Sequence, residues 1–137
     1  MASINEIQDD IIEEFSCFDD WMDKYQMIID LGNELPQMDE SLKTKENLIE
    51  GCQSRVWLNA TFNEGKLWLE ADSDAIITKG LIGLLIKIWS GQSPKEILES
   101  KPYFIEKIGL QEHLSPTRSN GLASMVKQIM LYAVAFS

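Results

Sequence analysis

Cysteine and histidine are scarce in this chain, with two cysteines and one histidine among 137 residues. Two cysteines, Cys17 and Cys52, are too few for the disulfide framework of a small secreted domain. With His113 they cannot complete a four-ligand zinc site without carboxylates, and the three lack metal-ligand spacing, so no metal is expected. An iron–sulfur cluster normally needs several cysteine ligands, which this chain does not have. Positive charge is short too: 12 Lys and Arg stand against 22 Asp and Glu, a formal net charge of −10. Clustered Lys and Arg are what displace counterions from phosphates, so nucleic acid and anionic membrane surfaces are disfavoured as partners. Long apolar runs are also missing. The longest, Gly80 to Ile86, lies between Lys79 and Lys87 and is too short to span a bilayer. The start, Met1 to Glu6, has neither a basic cluster nor an apolar core, so no signal peptide is expected. A reducing cytoplasm is the expected compartment, one in which an unpaired reactive thiol persists.

What is present fits one domain spanning residues 1–137, 45% hydrophobic and 25% charged, long enough to bury a real core. Ser3 and Glu6 form a capping-box signature, and Ile4, Ile7, Ile11, Ile12 and Phe15 follow at helical spacing. A second helix is expected from about Asp19, with Trp21, Tyr25, Ile28 and Ile29 on its apolar face. Cys17, at the junction beside Phe15 and Phe18, reads as a small packing residue. Residues 36–47 read as a surface loop, and Leu48 and Ile49 as a short strand that re-enters the core just before the Gly51-Cys52 turn. Val56, Leu58, Ala60 and Phe62 alternate with other residues, as do Leu67, Leu69 and Ala71, which is the period of a strand. A four-residue loop, Asn63 to Lys66, sets Phe62 opposite Leu67 and Ala60 opposite Leu69. A three-residue loop would turn the second strand's apolar set outward.

From Asp74 to Trp89 the pattern is that of a mostly buried helix, with Asp72, Ser73 or Asp74 available as its cap. Ser93-Pro94-Lys95-Glu96 is a second capping box, opening a short helix. Another short helix runs from Pro102 to Gly109. Leu122, Met125, Val126, Ile129, Met130, Ala133 and Phe136 stripe a last amphipathic helix. The fold class is α+β, a small antiparallel sheet of two or three strands packed against several helices.

Chemistry concentrates at Glu50-Gly51-Cys52-Gln53-Ser54-Arg55-Val56-Trp57. Cys52 follows a glycine that permits a tight turn and precedes a strand, among polar neighbours rather than inside an apolar run. Reactive cysteines occupy partly exposed polar settings, because the thiolate is the nucleophile. Arg55 is expected to raise the thiolate fraction, opposed by Glu50. Trp57 points away from the apolar strand face, either to cover a helix or to serve an interface near Cys52. Ser115-Pro116 reads as a helix start with Arg118 in its first turn, where a cation is mildly unfavourable. Its expected partner is internal, Asp72 or Asp74, or a carboxylate on another protein. His113 reads either as a loop-to-helix anchor or as a contact to that protein.

The segment Gly51-Cys52-Gln53-Ser54-Arg55-Val56-Trp57 resembles the cysteine motif of SufE-type proteins, sulfur acceptors that serve cysteine desulfurases in iron–sulfur cluster assembly. The likeness continues through Asp72-Ser73-Asp74-Ala75, Lys79-Gly80-Leu81, His113 to Arg118 and Gly121-Leu122, in the family's order. The resemblance implies the architecture that these proteins share with IscU-type scaffolds. It implies that Cys52 accepts persulfide sulfur from a desulfurase of SufS or CsdA type, stimulates that enzyme and passes sulfur to an iron–sulfur scaffold. It further implies that Gly51, Gln53, Arg55, Trp57, Asp74, His113 and Arg118 support Cys52 or meet the partner. Pyridoxal phosphate would then belong to the desulfurase, and no cofactor is expected on this chain, which is a transfer partner rather than an enzyme. The alternative is a stand-alone hydrolase or thiol peroxidase with Cys52 as nucleophile and His113 as base, which requires the two side chains in contact.

Overall fold

The computed structural model describes residues 2–137. In chain order its elements are α1 (Ile4–Ser16), α2 (Trp21–Asn33), a 3-10 turn (Glu40–Leu42), β1 (Val56–Asn63), β2 (Lys66–Ser73), α3 (Ile76–Trp89), α4 (Pro94–Glu99), α5 (Phe104–Ile108), α6 (Leu110–His113) and α7 (Pro116–Phe136). The α+β class is as expected.

Local chemistry explains most helix starts. Ser3 accepts the Glu6 amide proton while the Glu6 carboxylate accepts that of Ser3, completing the capping box. Helix α2 opens at Asp20, whose carboxylate accepts the Met22 amide at 2.9 Å. Helix α4 opens at Ser93, which accepts the Glu96 amide at 3.2 Å and donates its hydroxyl to the Glu96 carboxylate at 2.9 Å. Helix α3 departs from expectation. Its N-cap is Ala75, with no side-chain cap. The acids ahead of it are engaged elsewhere: Asp72 with two lysines and Asp74 with Arg55.

The strands pair antiparallel in the expected register, with Phe62 against Leu67 and Ala60 against Leu69. The turn is tighter than expected, because Asn63 and Lys66 are themselves paired. Only Glu64 and Gly65 remain to turn the chain, at φ 53° and 79°. Positive φ at both central residues is the type I′ geometry, whose twist suits a two-residue hairpin. Pairing Asn63 with Lys66 lengthens the ladder by one pair without shifting it, so Phe62 still faces Leu67 and the same face stays inward.

The expected third strand is reduced to a bridge between Leu48 and Trp57, held by Ile49 N–H to Val56 O at 2.9 Å and Leu58 N–H to Asn47 O at 2.8 Å. Against the inner sheet face lies α3, in which Leu81, Ile82, Leu84, Leu85, Ile88 and Trp89 are all buried. Each such aliphatic contributes about 1.5–3 kcal/mol by leaving water. Helix α2 crosses α3 so closely that a Cβ on Gly80 would stand 2.1 Å from the Ile28 carbonyl oxygen. Buried residues of α7, including Leu122, Met125 and Ile129, join the same cluster.

Two further expectations fail. Cys17 is exposed rather than packed, because as the C-cap of α1 it lies where the chain leaves the core. Phe62 and Phe136 are exposed too, since the hairpin tip and the end of α7 extend past the core. There they stack on each other, ring centroids 5.8 Å apart. Among the described residues, no helix is long and apolar enough to cross a membrane.

Candidate functional site

Cys52 sits in residues 50–55, the loop joining the Leu48 bridge to β1. Gly51 turns this loop at φ 92°, directly over Ser124 of α7, and a Cβ there would meet the Ser124 hydroxyl oxygen at 2.4 Å. The next residue, Cys52, lies over Gly121, one helical turn earlier on α7. Its Sγ donates to the Gly121 carbonyl oxygen at 3.6 Å. Two consecutive loop residues thus rest on positions i and i+3 of one helix face, which are neighbours on a helix surface. The thiol is half-buried, and burial pushes its pKa up.

This reverses one expectation. Arg55 does not activate the thiol. Its Nε stands 3.1 Å from Asp74 Oδ2, its amide donates to Asp74 Oδ1 at 3.0 Å, and its carbonyl accepts the Ser73 hydroxyl at 2.8 Å. Arg55 is therefore a clasp that ties the end of the Cys52 loop to the end of β2. Its guanidinium also stands 5.6 Å from the Trp57 ring centroid, and the Lys43 ammonium 5.7 Å from the same centroid. Trp57 is half-buried and flanked by these two cations.

A cleft of about 650 Å³ opens beside the thiol, lined by Cys52, Gln53, Asp74, Ile76, Arg118 and Met125 among others. Ile76, the first residue of α3, is 63% exposed at this cleft. Ser115 caps α7 by accepting the Arg118 amide at 3.2 Å. The Arg118 guanidinium forms no ion pair among the described residues, because both expected internal partners are taken. Asp74 holds Arg55, and Asp72 holds Lys43 at 2.9 Å and Lys79 at 3.3 Å. Burial works to raise the Asp72 carboxyl, but the Lys43 hydrogen bond, the Ser73 amide and Lys79 outweigh it and hold it below the usual carboxylate range.

His113 lies elsewhere. Its ring stacks on Trp21, centroids 4.0 Å apart and planes 13° from parallel. Nδ1–H donates to the Gly109 carbonyl at 3.0 Å, and its own carbonyl accepts the Tyr25 hydroxyl. It is an anchor between α2 and α6, and the sulfur of Cys52 pairs with Gly121 instead. Among the described residues no cluster of three or more His, Cys, Asp or Glu is arranged to hold a metal ion.

The structure therefore gathers Cys52, Gln53, Asp74 and Arg118 around one cleft, keeps Gly51 and Arg55 within the Cys52 loop and Trp57 on β1 outside the cleft lining, and leaves His113 out. Sequence reasoning missed Ser124 and Ile76, and took Gly121 only as part of a resemblance. A glycine inside an amphipathic helix was the available signal, since it marks a close approach.

The chain is similar to known proteins along most of its length. The family model described as SufE, Fe-S metabolism associated domain, matches residues 9–133. An uncharacterized SufE-like protein of Rhizobium meliloti is 44% identical over 126 residues, covering 88% of this chain and 90% of that protein. SufE-like protein 1, chloroplastic/mitochondrial, of Arabidopsis thaliana is 43% identical over 119 residues, covering 86% of this chain but 32% of the plant protein. The solution structure of a hypothetical protein from Thermus thermophilus superposes with a TM-score of 0.78 at 22% identity, covering 94% of each chain, and shares the fold.

Proposed function

The chain belongs to the SufE family, with a role in Fe-S metabolism, and from that premise we propose that Cys52 is a sulfur acceptor for a cysteine desulfurase. The observation that carries this reading is the position of the thiol, on a loop at the side of an open cleft. Beside it stand an exposed Ile76 and Arg118, which has no ion pair among the described residues. A donor protein would approach there, with Ile76 offering apolar contact and Arg118 a cation for a carboxylate of the partner.

In the reaction, Cys52 first loses its proton to become the thiolate. The thiolate attacks the outer sulfur of a persulfide on the donor. A new S–S bond forms on Cys52, the donor's S–S bond breaks, and the donor leaves as a thiolate. No net oxidation occurs. The same exchange run toward an iron–sulfur scaffold would deliver the sulfur onward. Pyridoxal phosphate is assigned to the SufS- or CsdA-type desulfurase, and the accelerated step is that enzyme's return to a free thiol. A reducing compartment suits two unpaired cysteines.

A stand-alone cysteine enzyme needs His113 against Cys52, and the ring is instead stacked on Trp21. The test is Cys52→Ser in a desulfurase assay with free cysteine. Sulfur uptake and stimulation should both disappear while the fold is kept. A Cys52→Ser protein that still accepts sulfur would refute the proposal.

A further inference from the structure

Cys52 rests against α7 as well as on its own loop. We infer that Gly121 is a positioning residue that sets the resting reactivity of Cys52, by offering its carbonyl to the thiol and no side chain beneath it. This rests on the reading of Cys52 as the acceptor, and goes beyond it by placing control of that thiol on a different element.

Three observations converge. The Cys52 Sγ donates to the Gly121 carbonyl at 3.6 Å. A carbonyl lone pair favours the neutral S–H and disfavours a thiolate at the same place. A Cβ at position 121 would stand 3.5 Å from Sγ and 4.0 Å from the Cys52 Cα. One methyl group therefore fits in ordinary contact, and a larger branched side chain, which must add atoms beyond a Cβ already in contact with the sulfur, is expected to displace the cysteine. The third observation is the matching contact one turn on, where Gly51 lies over Ser124, whose hydroxyl is held by the Asn120 carbonyl at 3.1 Å. Helix α7 thus presents two small residues in the register of two consecutive loop residues.

The chemical consequence is specific. In the seated state the sulfur is half-buried and its pKa is raised, so it reacts slowly. A thiolate at that position would face the Gly121 carbonyl, so ionisation and departure from the seat go together. Bulk at position 121 removes the seat without touching the loop sequence, and should leave Cys52 permanently in its reactive state.

The experiment is iodoacetamide alkylation of the reduced protein alone, followed at Cys52 by peptide mass spectrometry across a pH series. No desulfurase is involved, so failure here leaves the sulfur-acceptor reading standing, while failure of sulfur uptake would leave this result intact. The wild type should react slowly at Cys52, with a pH midpoint above the ordinary thiol value of about 8.5. Gly121→Leu should react at least about tenfold faster at neutral pH, with the midpoint moved down toward that value. Gly121→Ala, which fits the available space, should keep the slow rate and the high midpoint. Ser124→Leu displaces Gly51 instead and should match Gly121→Leu, so it decides the matter if Gly121→Leu fails to fold. Wild-type rate and midpoint in a folded Gly121→Leu or Ser124→Leu protein would overturn the inference. So would equal acceleration by Gly121→Ala and Gly121→Leu, which would make loss of the glycine, not bulk under the sulfur, the cause.

Discussion

The two ends of β1 make an instructive pair. Each is preceded or followed by a turn with a glycine at positive φ, Gly51 at 92° and Gly65 at 79°. At the hairpin tip a Cβ on Gly65 would meet nothing within 4 Å, whereas on Gly51 it would strike Ser124. The tip needs glycine only for the twist of the backbone. The Cys52 turn needs it for the backbone and again for the helix beneath. One turn is local and replaceable, and the other is tertiary.

The sharpest way to break this contrast is to place the same substitution in both turns. An alanine at positive φ costs about 1–2 kcal/mol of backbone strain in either place. Gly65→Ala should show that loss and leave Cys52 alkylation unchanged. Gly51→Ala should lose more and also expose Cys52, because its methyl group cannot occupy the Ser124 position. Equal alkylation rates in the two variants would erase the distinction.

A smaller effect is expected from the clasp at the far end of the Cys52 loop. Asp74→Asn removes the charge that holds Arg55, an exposed pair of the kind worth about 0–1 kcal/mol. Alkylation of Cys52 should rise a few-fold, and the wild-type protein in high salt should move part of the way toward the variant. Salt-independent rates would show that the clasp does not restrain the loop.

The smallest change should come from Asp72, which ties the 3-10 turn region to α3 through Lys43 and Lys79 but lies outside the Cys52 seat. Its carboxyl is depressed in the folded protein. The stability it adds is therefore full above the ordinary aspartate value of about 3.9 and is lost as pH falls through the lower folded value. Asp72→Asn should lower the melting temperature by a few degrees at neutral pH, with the difference closing in acid, and should leave Cys52 reactivity alone. Thermal melts at several pH values check this.

The contrast also explains what could be read from the chain alone. The hairpin register was legible because one strand face is buried, so alternation at Val56, Leu58 and Ala60 fixes which side faces the core. The length of its turn was not, because Asn63 is exposed and Lys66 only partly buried, and two polar residues carry no apolar alternation. Caps at Ser3 and Ser93 were legible because both partners lie three residues apart. Cys52 stood out because Gly51 precedes it and a strand follows. Its seat did not, since Gly121 lies 69 residues further along the chain. The same distance problem hid the Asp74 partner of Arg55 and the stacking of His113 on Trp21. Residue type and spacing report local geometry, whereas these three depend on how remote elements pack.

Sulfur acceptance comes down to one sulfur atom and one cysteine of two. The decisive experiment incubates the reduced protein with a pyridoxal-phosphate cysteine desulfurase and free cysteine, then maps the peptides by mass spectrometry. The expected result is the mass of an added sulfur on the Cys52 peptide, removable by a thiol reductant, with none on the exposed Cys17. Added sulfur on Cys17 alone, or on both cysteines alike, would overturn the assignment of Cys52 as the acceptor.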